Sequence, residues 1–190
     1  MREISMFTMV SLDGFFEGKG HDLSWHKVDS EFNNFAIRQL KEADTLIMGS
    51  KTYQLMEGFW PTKAGLRENP VVARMMNTMQ KIVFSKTLGK VKETEYWKNV
   101  RLVKNNVAGE LKKLKKLPGK DLLILASSNL CTTLLEMDLL DELRIMINPV
   151  VIGNGTRLFE GFKFKLSLSL FNTKTFGNGN VLLYYRVSPQ

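Results

Sequence analysis

Three short apolar runs, Leu46-Ile47-Met48, Ile82-Val83-Phe84 and Leu122-Leu123-Ile124-Leu125, each end in a polar turn. They have strand length and do not alternate with polar residues, the pattern of strands buried on both faces. Strands of that kind belong to parallel sheets, and parallel neighbours must be joined by crossovers, usually helical. The intervening segments supply them. Asp29 or Ser30 can cap a helix with Phe32, Phe35, Ala36 and Leu40 on one face. The strand over 44–48 leads into a short helix to about Glu57, and Gly58 to Asn69 reads as a loop. Pro70 after Asn69 opens a helix to about Met79. Leu111, Leu114 and Leu117 mark a helix over 107–117, stopped by Pro118-Gly119. Leu130, Leu134 and Leu135 mark another.

Around these units the sequence predicts a first strand over 1–10, a weaker one over 100–103, and one over 143–151 broken late by Pro149. Segments 166–175 and 181–187 alternate apolar and polar, and Gly177-Asn178-Gly179-Asn180 joins them as a hairpin. The expected architecture is one α/β domain over residues 1–190. It has a mostly parallel sheet, helices on both faces and an antiparallel C-terminal hairpin.

Charge and composition bound the function. The net charge of +8 invites a nucleic-acid reading, but much of the excess is Lys112, Lys113, Lys115, Lys116 and Lys120. The first four fall on the polar side of the 107–117 helix, as a solvated face would, and no nucleic-acid-binding signature accompanies the five. Two histidines, His21 and His26, point away from a histidine-rich metal site, and the single Cys131 excludes an internal disulfide. No apolar run approaches a membrane span of about 20 residues. The start Met1-Arg2-Glu3-Ile4 runs into a strand pattern with no signal-peptide character. The expectation is a cytoplasmic protein with a small-molecule substrate, no nucleic acid and no membrane partner.

In sheets of this kind ligands bind beyond the carboxyl ends of the strands. Three turns lie there: Gly49-Ser50-Lys51-Thr52, Ser85-Lys86-Thr87 and Ala126-Ser127-Ser128-Asn129-Leu130. Each offers hydroxyls or backbone N–H groups, two add a lysine, and each reads as a strand-to-helix turn whose helix N-terminus attracts phosphate. Several such turns on one edge suit a dinucleotide. The plainer alternative is a set of ordinary connections with Ser50 as a cap. The GxGxxG fingerprint is missing after the first strand, which disfavours the ordinary Rossmann site.

The motif Ser11-Leu12-Asp13-Gly14, the stretch from Asp44 to Tyr53, and the stretch from Leu134 through Asp141-Glu142-Leu143 to Gly153-Asn154-Gly155 and Leu158-Phe159 resemble the dihydrofolate reductase-like superfamily. Within it they are most similar to the reductase domain of bacterial riboflavin biosynthesis. The resemblance implies a three-layer fold, NADPH as cofactor, a homodimer, and reduction of a pyrimidine- or pteridine-like substrate. In the riboflavin pathway that substrate is 5-amino-6-(5-phosphoribosylamino)uracil. It also implies that Gly49, Ser50, Lys51, Thr52, Ser85 and Lys86 hold the adenosine side, and that Ala126, Ser127, Ser128, Asn129 and Leu130 lie along the pyrophosphate. Asp13 and Gly14 would then flank the nicotinamide. Two positions depart from the family pattern. Ser50 stands where Arg is usual, leaving Lys51 or Lys86 as the cation, and Ala126 stands in a turn that is usually glycine-rich.

Hydride transfer also needs a proton source, and the candidates are Asp13, His26 and Glu31. Each has a plainer role open to it. Asp13 can simply make the Asp-Gly turn, Glu31 can be a charge at a helix N-terminus, and His26 beside Trp25 can face solvent. Tyr53 and Cys131 read as packing. Leu139, Leu140, Leu143, Ile145 and Ile147, with the hairpin, read as surplus apolar surface for a homodimer. Two rival readings are a nucleotide- or pterin-binding protein that lost turnover, and a nucleic-acid-binding module.

Overall fold

The computed structural model describes residues 1–126 and 128–188. Its centre is β1 (Ile4–Ser11), whose eight residues are all buried. Ile4, Met6 and Val10 point to one side of the sheet and Phe7 and Met9 to the other, so β1 feeds both cores. Beside it lie β3 (Ala43–Gly49), β4 (Gln80–Phe84), β5 (Val100–Val103), β6 (Asp121–Leu125) and β7 (Glu142–Asn148). With the hairpin of β9 (Leu168–Thr175) and β10 (Val181–Val187) they form one eight-stranded sheet, in the order β5-β4-β3-β6-β1-β7-β10-β9. The first six are mutually parallel, and β10 pairs antiparallel with both β7 and β9.

Helices cover both faces. On one side α5 (Val107–Lys116) and α6 (Ser128–Glu136) bury Leu111, Leu114, Leu130, Leu134 and Leu135. On the other, α1 (Ser30–Glu42), α2 (Ser50–Phe59) and α4 (Pro70–Thr78) bury Phe35, Leu40, Tyr53, Val72 and Met76. Asp29 caps α1 and Asn69 caps α4, each accepting a backbone N–H with its side chain. Lys112, Lys113 and Lys116 are exposed along α5, and Lys115 binds Asp141 at 2.6 Å. Among the described residues no helix is long and apolar enough to cross a membrane.

Several expectations are corrected. Residues 58–69 are not all loop, because Thr62 caps a short helix, α3 (Lys63–Glu68). A two-stranded sheet of β2 (Phe15–Gly18) and β8 (Gly155–Arg157) adds two strands not expected from the sequence. No helix follows Ser85-Lys86-Thr87: the chain runs as a loop to β5, over Trp97, which is fully buried beside Tyr53. β7 ends at Asn148, before Pro149. Leu139, Leu140 and Leu143 are buried in the chain's own core, and Ile145 and Ile147 are partly buried against it. On and just before the hairpin, Phe164, Leu170 and Phe171 are exposed.

Candidate active site

The carboxyl edge of the sheet is stepped. Gly49 pairs with Phe84, Ile47 with Ile124 and Phe7 with Leu125, so β3, β4 and β6 end at one level. β1 and β7 continue together to Ser11 and Asn148, about 10 Å further at strand rise. The lower floor carries the turns that begin at Gly49, Ser85 and Ala126. The raised wall carries Asp13, Gly14 and the segment from 148 to 153.

On the floor, α2 begins at Ser50 with Gly49 as its N-cap, so Ser50 is not the cap. Gly49 has φ −80, a conformation open to any residue, and no side chain bonds the first N–H groups of α2. Asp29, Thr62, Asn69 and Asn106 cap α1, α3, α4 and α5 with their side chains. Of the five helices whose N-cap is described, α2 alone leaves those donors free for an anion. Lys51 and Lys86 are exposed, and the register carries them out at the same corner. Thr52 is buried in the first turn of α2. The Ser85 hydroxyl accepts the N–H of Leu88 at 3.0 Å and so is spent on its own loop.

Ala126 ends β6 at φ 51, in the left-handed region. An L residue there costs roughly 1–2 kcal/mol, against about 0.5–1 kcal/mol of extra chain entropy for glycine. Ala126→Gly should therefore raise stability by roughly 0.5–1 kcal/mol in urea unfolding, and an unfolding curve shifted the other way would contradict this. Ser128 and Leu130 are buried at the start of α6 and Asn129 is exposed; Ser127 lies outside the described residues.

On the wall, the three proton candidates separate. The Asp13 carboxylate accepts the N–H groups of Gly153 at 2.8 Å and Ile152 at 3.2 Å. Hydrogen bonding from Ser11, then from these amides, holds it below the usual carboxylate range. Gly14 turns at φ 85, its N–H bonded to Ser11. Glu31 accepts the N–H of Gly177 at 2.9 Å and pairs with Lys174; the Gly177 amide, then the lysine, hold its carboxyl low. Both acids are thus ionised ties between loops. His26 does not face solvent. Its ring meets Trp25 edge-on, its Nε2 is buried without a partner, and burial pushes its pKa down to about 4 against the pull of Asp22.

Two residues that sequence reasoning missed hold the His26 loop in place. Asn148, fully buried, accepts the N–H of Lys27 through Oδ1 at 2.9 Å. Asn180, also fully buried, donates through Nδ2 to the Lys27 carbonyl at 2.9 Å. Asparagine at a strand end before Pro149, and again in a hairpin turn, was the only available signal. Above them Leu12 and Val151 are about two-thirds exposed, at 66% and 67%, and the Leu12 N–H bonds Val150 O. The arrangement is a floor with free backbone donors and two exposed lysines, beside a wall with an apolar lip.

The family model for the RibD C-terminal domain matches residues 2–182. Uncharacterized protein YyaP of Bacillus subtilis (strain 168) is 33% identical over 186 residues, covering 97% of this chain and 94% of that protein. A candidate riboflavin biosynthesis protein from Shewanella sp. PV-4 superposes with TM-score 0.75 at 23% identity, covering 98% of this chain and 99% of that one. The Thermotoga maritima diaminohydroxyphosphoribosylaminopyrimidine deaminase/5-amino-6-(5-phosphoribosylamino)uracil reductase superposes with TM-score 0.72 at 15% identity, covering 98% of this chain and 57% of that one. Dihydrofolate reductase from Enterococcus faecalis, complexed with NADP(H), superposes with TM-score 0.62 at 14% identity, covering 98% and 96%. These likenesses show a dihydrofolate reductase-like fold.

Proposed function

Because the chain belongs to the RibD C-terminal domain family, we propose that it is an NADPH-dependent reductase of a small pyrimidine- or pteridine-like substrate. The observation that carries this reading is the uncapped N-terminus of α2 on the lower floor, with Lys51 and Lys86 at its corner. Free N–H donors and two cations fit the phosphates of a dinucleotide. When bound, NADPH supplies a hydride to the substrate carbon. The chain's own residues do the rest. α2 and the start of α6 orient the phosphates, and Ala126 limits how closely they approach. Asp13 fixes the wall, and Leu12 and Val151 form an apolar lip above it. Asp13 and Glu31, held ionised, and His26, held neutral, leave the balancing proton to solvent.

The test is NADPH consumption with a panel of pyrimidine and pteridine substrates. Turnover of one supports the reading. NADPH binding without turnover of any would favour the binding-protein alternative, which the left-handed Ala126 keeps in play.

NADPH preference over NADH rests in this reading on Lys51 and Lys86. A lysine acts as a point charge, and a charge-assisted hydrogen bond is worth roughly 1.5–3 kcal/mol. Lys51→Ala with Lys86→Ala should weaken NADPH binding about ten- to a hundredfold and leave NADH nearly unchanged. A double variant that keeps the wild-type preference would move the 2′-phosphate elsewhere. We also propose a homodimer through the free edge of β9, where Leu170 and Phe164 are about half exposed. A sedimentation mass of one 21.7 kDa chain at micromolar concentration would contradict it.

A further inference from the structure

The tripeptide Gly-Asn-Gly occurs twice, at 153–155 and at 177–179, and these hold the only two Asn-Gly steps in the chain. An asparagine followed by glycine is the step most prone to lose its side-chain ammonia, because no side chain shields the backbone nitrogen that attacks Cγ. Sequence alone gives the two copies the same reactivity. The fold treats them differently.

Asn178 is held in the hairpin turn between β9 and β10. Its Nδ2 donates to the Lys27 carbonyl at 3.3 Å, and its Oδ1 accepts the N–H of Asn180 at 3.0 Å. The attacking nitrogen there would be that of Gly179, whose N–H is bonded to the Phe176 carbonyl at 2.9 Å. Asn154 is exposed, and its side chain bonds none of the described residues. The ties of its loop pass on either side of it, from the Gly153 N–H to Asp13 at 2.8 Å and from the Thr156 hydroxyl to Glu17 at 2.8 Å. Gly155 forms the last pair of the two-stranded β2–β8 ribbon, opposite Gly18. Its φ is 153, and a Cβ there would run into the Glu17 carbonyl oxygen. The fold itself thus imposes the glycine that makes Asn154 reactive.

We infer that Asn154 is a site of spontaneous covalent modification on the raised wall, converting while the fold protects the identical step at Asn178. The Gly155 nitrogen attacks Cγ of Asn154 and gives up its proton to solvent. The new C–N bond closes a five-membered imide, the bond from Cγ to Nδ2 breaks, and ammonia leaves. Water then opens the imide at one of its two carbonyls, leaving aspartate or isoaspartate, with no change in oxidation state. Both products set a carboxylate beside Gly153, whose N–H holds Asp13. Isoaspartate also adds a methylene to the backbone ahead of Gly155, where the chain already lies against the Glu17 carbonyl. The pairing of β2 with β8 therefore loosens, and the wall with it.

The test is incubation of the full chain at mildly alkaline pH, once folded and once in urea, with each asparagine followed by peptide mass spectrometry. In the folded chain Asn154 should convert about ten- to a hundredfold faster than Asn178, the factor set by the hydrogen bonds that Asn178 and Gly179 must first break. In urea the two should convert at similar rates. Asn154→Gln, which needs a larger ring, should stop conversion at that position and leave Asn178 as slow as before. The isoaspartyl form, separated by ion exchange, should exchange the amides of β2 and β8 faster than the unmodified chain. Equal rates at the two sites in the folded chain, faster conversion at Asn178, or no conversion at Asn154 while the urea sample converts would overturn the proposal. Unchanged exchange along β2 and β8 in the isoaspartyl form would overturn the loosening of the wall. These readouts need no cofactor, so they stand apart from the reductase reading.

Discussion

Lys81→Met is expected to lower the unfolding free energy by about 3–5 kcal/mol. Lys81 opens the buried part of β4 and is 1% exposed. Its ammonium donates to the carbonyls of Asn77 at 3.2 Å, Met79 at 2.7 Å and Lys98 at 2.9 Å, and lies 4.4 Å from the centre of the Trp97 ring. Methionine keeps the volume and removes every donor. The Asn77 carbonyl still accepts the N–H of Lys98, so the loss falls mainly on the Met79 and Lys98 carbonyls. The consequence reaches function, because this contact anchors the loop from Ser85 to β5 whose first residues carry Lys86. Burial also pushes the Lys81 amine down to about 8. The unfolded chain holds its proton to about 10.5, so stability should rise as pH increases from 8 towards 10.5, and Lys81→Met should abolish that rise. Urea unfolding at neutral and alkaline pH checks both statements. A loss under about 1 kcal/mol would mean that the three carbonyls find other partners.

The second large effect concerns acid. His26 has a pKa of about 4 in the fold, against about 6.5 unfolded, because burial disfavours the imidazolium. Between those values the unfolded chain binds the extra proton. The stabilising contribution is therefore full above pH 6.5 and is lost as pH falls through 4. At roughly 1.4 kcal/mol per pH unit the loss amounts to about 3 kcal/mol. His26→Phe should remove it, flattening the stability curve over that window. Asp13 and Glu31, whose carboxyls are held low, add their own losses at still lower pH in both proteins. Chemical unfolding at a series of pH values gives the comparison. Parallel curves for wild type and His26→Phe would show that the imidazole is hydrated in the folded chain.

How much of this was legible depended on whether the signal was local. The buried strands declared themselves because unbroken apolar runs suit nothing else at that length. Asp29 and Asn69 could be read as caps because a cap is written in three or four neighbouring residues. The β2–β8 sheet could not be read. Its strands are four and three residues long, and Phe15 finds Arg157 across more than a hundred residues of chain. The turn at Ser85 has hydroxyls in a phosphate-binding pattern, yet its serine closes back on Leu88, a choice the sequence leaves open. Asp13 was legible as a loop residue after the first strand and Glu31 as a charge near a helix N-terminus, but neither as a tie, because their partners at Gly153 and Gly177 are distant backbone amides. His26 misled for a similar reason. A histidine in a polar loop reads as exposed until Asn148 and Asn180 are seen to pull the loop down.

In the proposed function a dinucleotide lies across the lower floor of the sheet edge. Hydrogen–deuterium exchange with and without NADPH tests this directly, since it reads the backbone N–H groups assigned to the phosphates. Exchange should slow at Ser50 to Tyr53 and at Ser128 to Cys131, with little change along β9. Protection confined to other segments, or no protection at saturating NADPH, would contradict that placement.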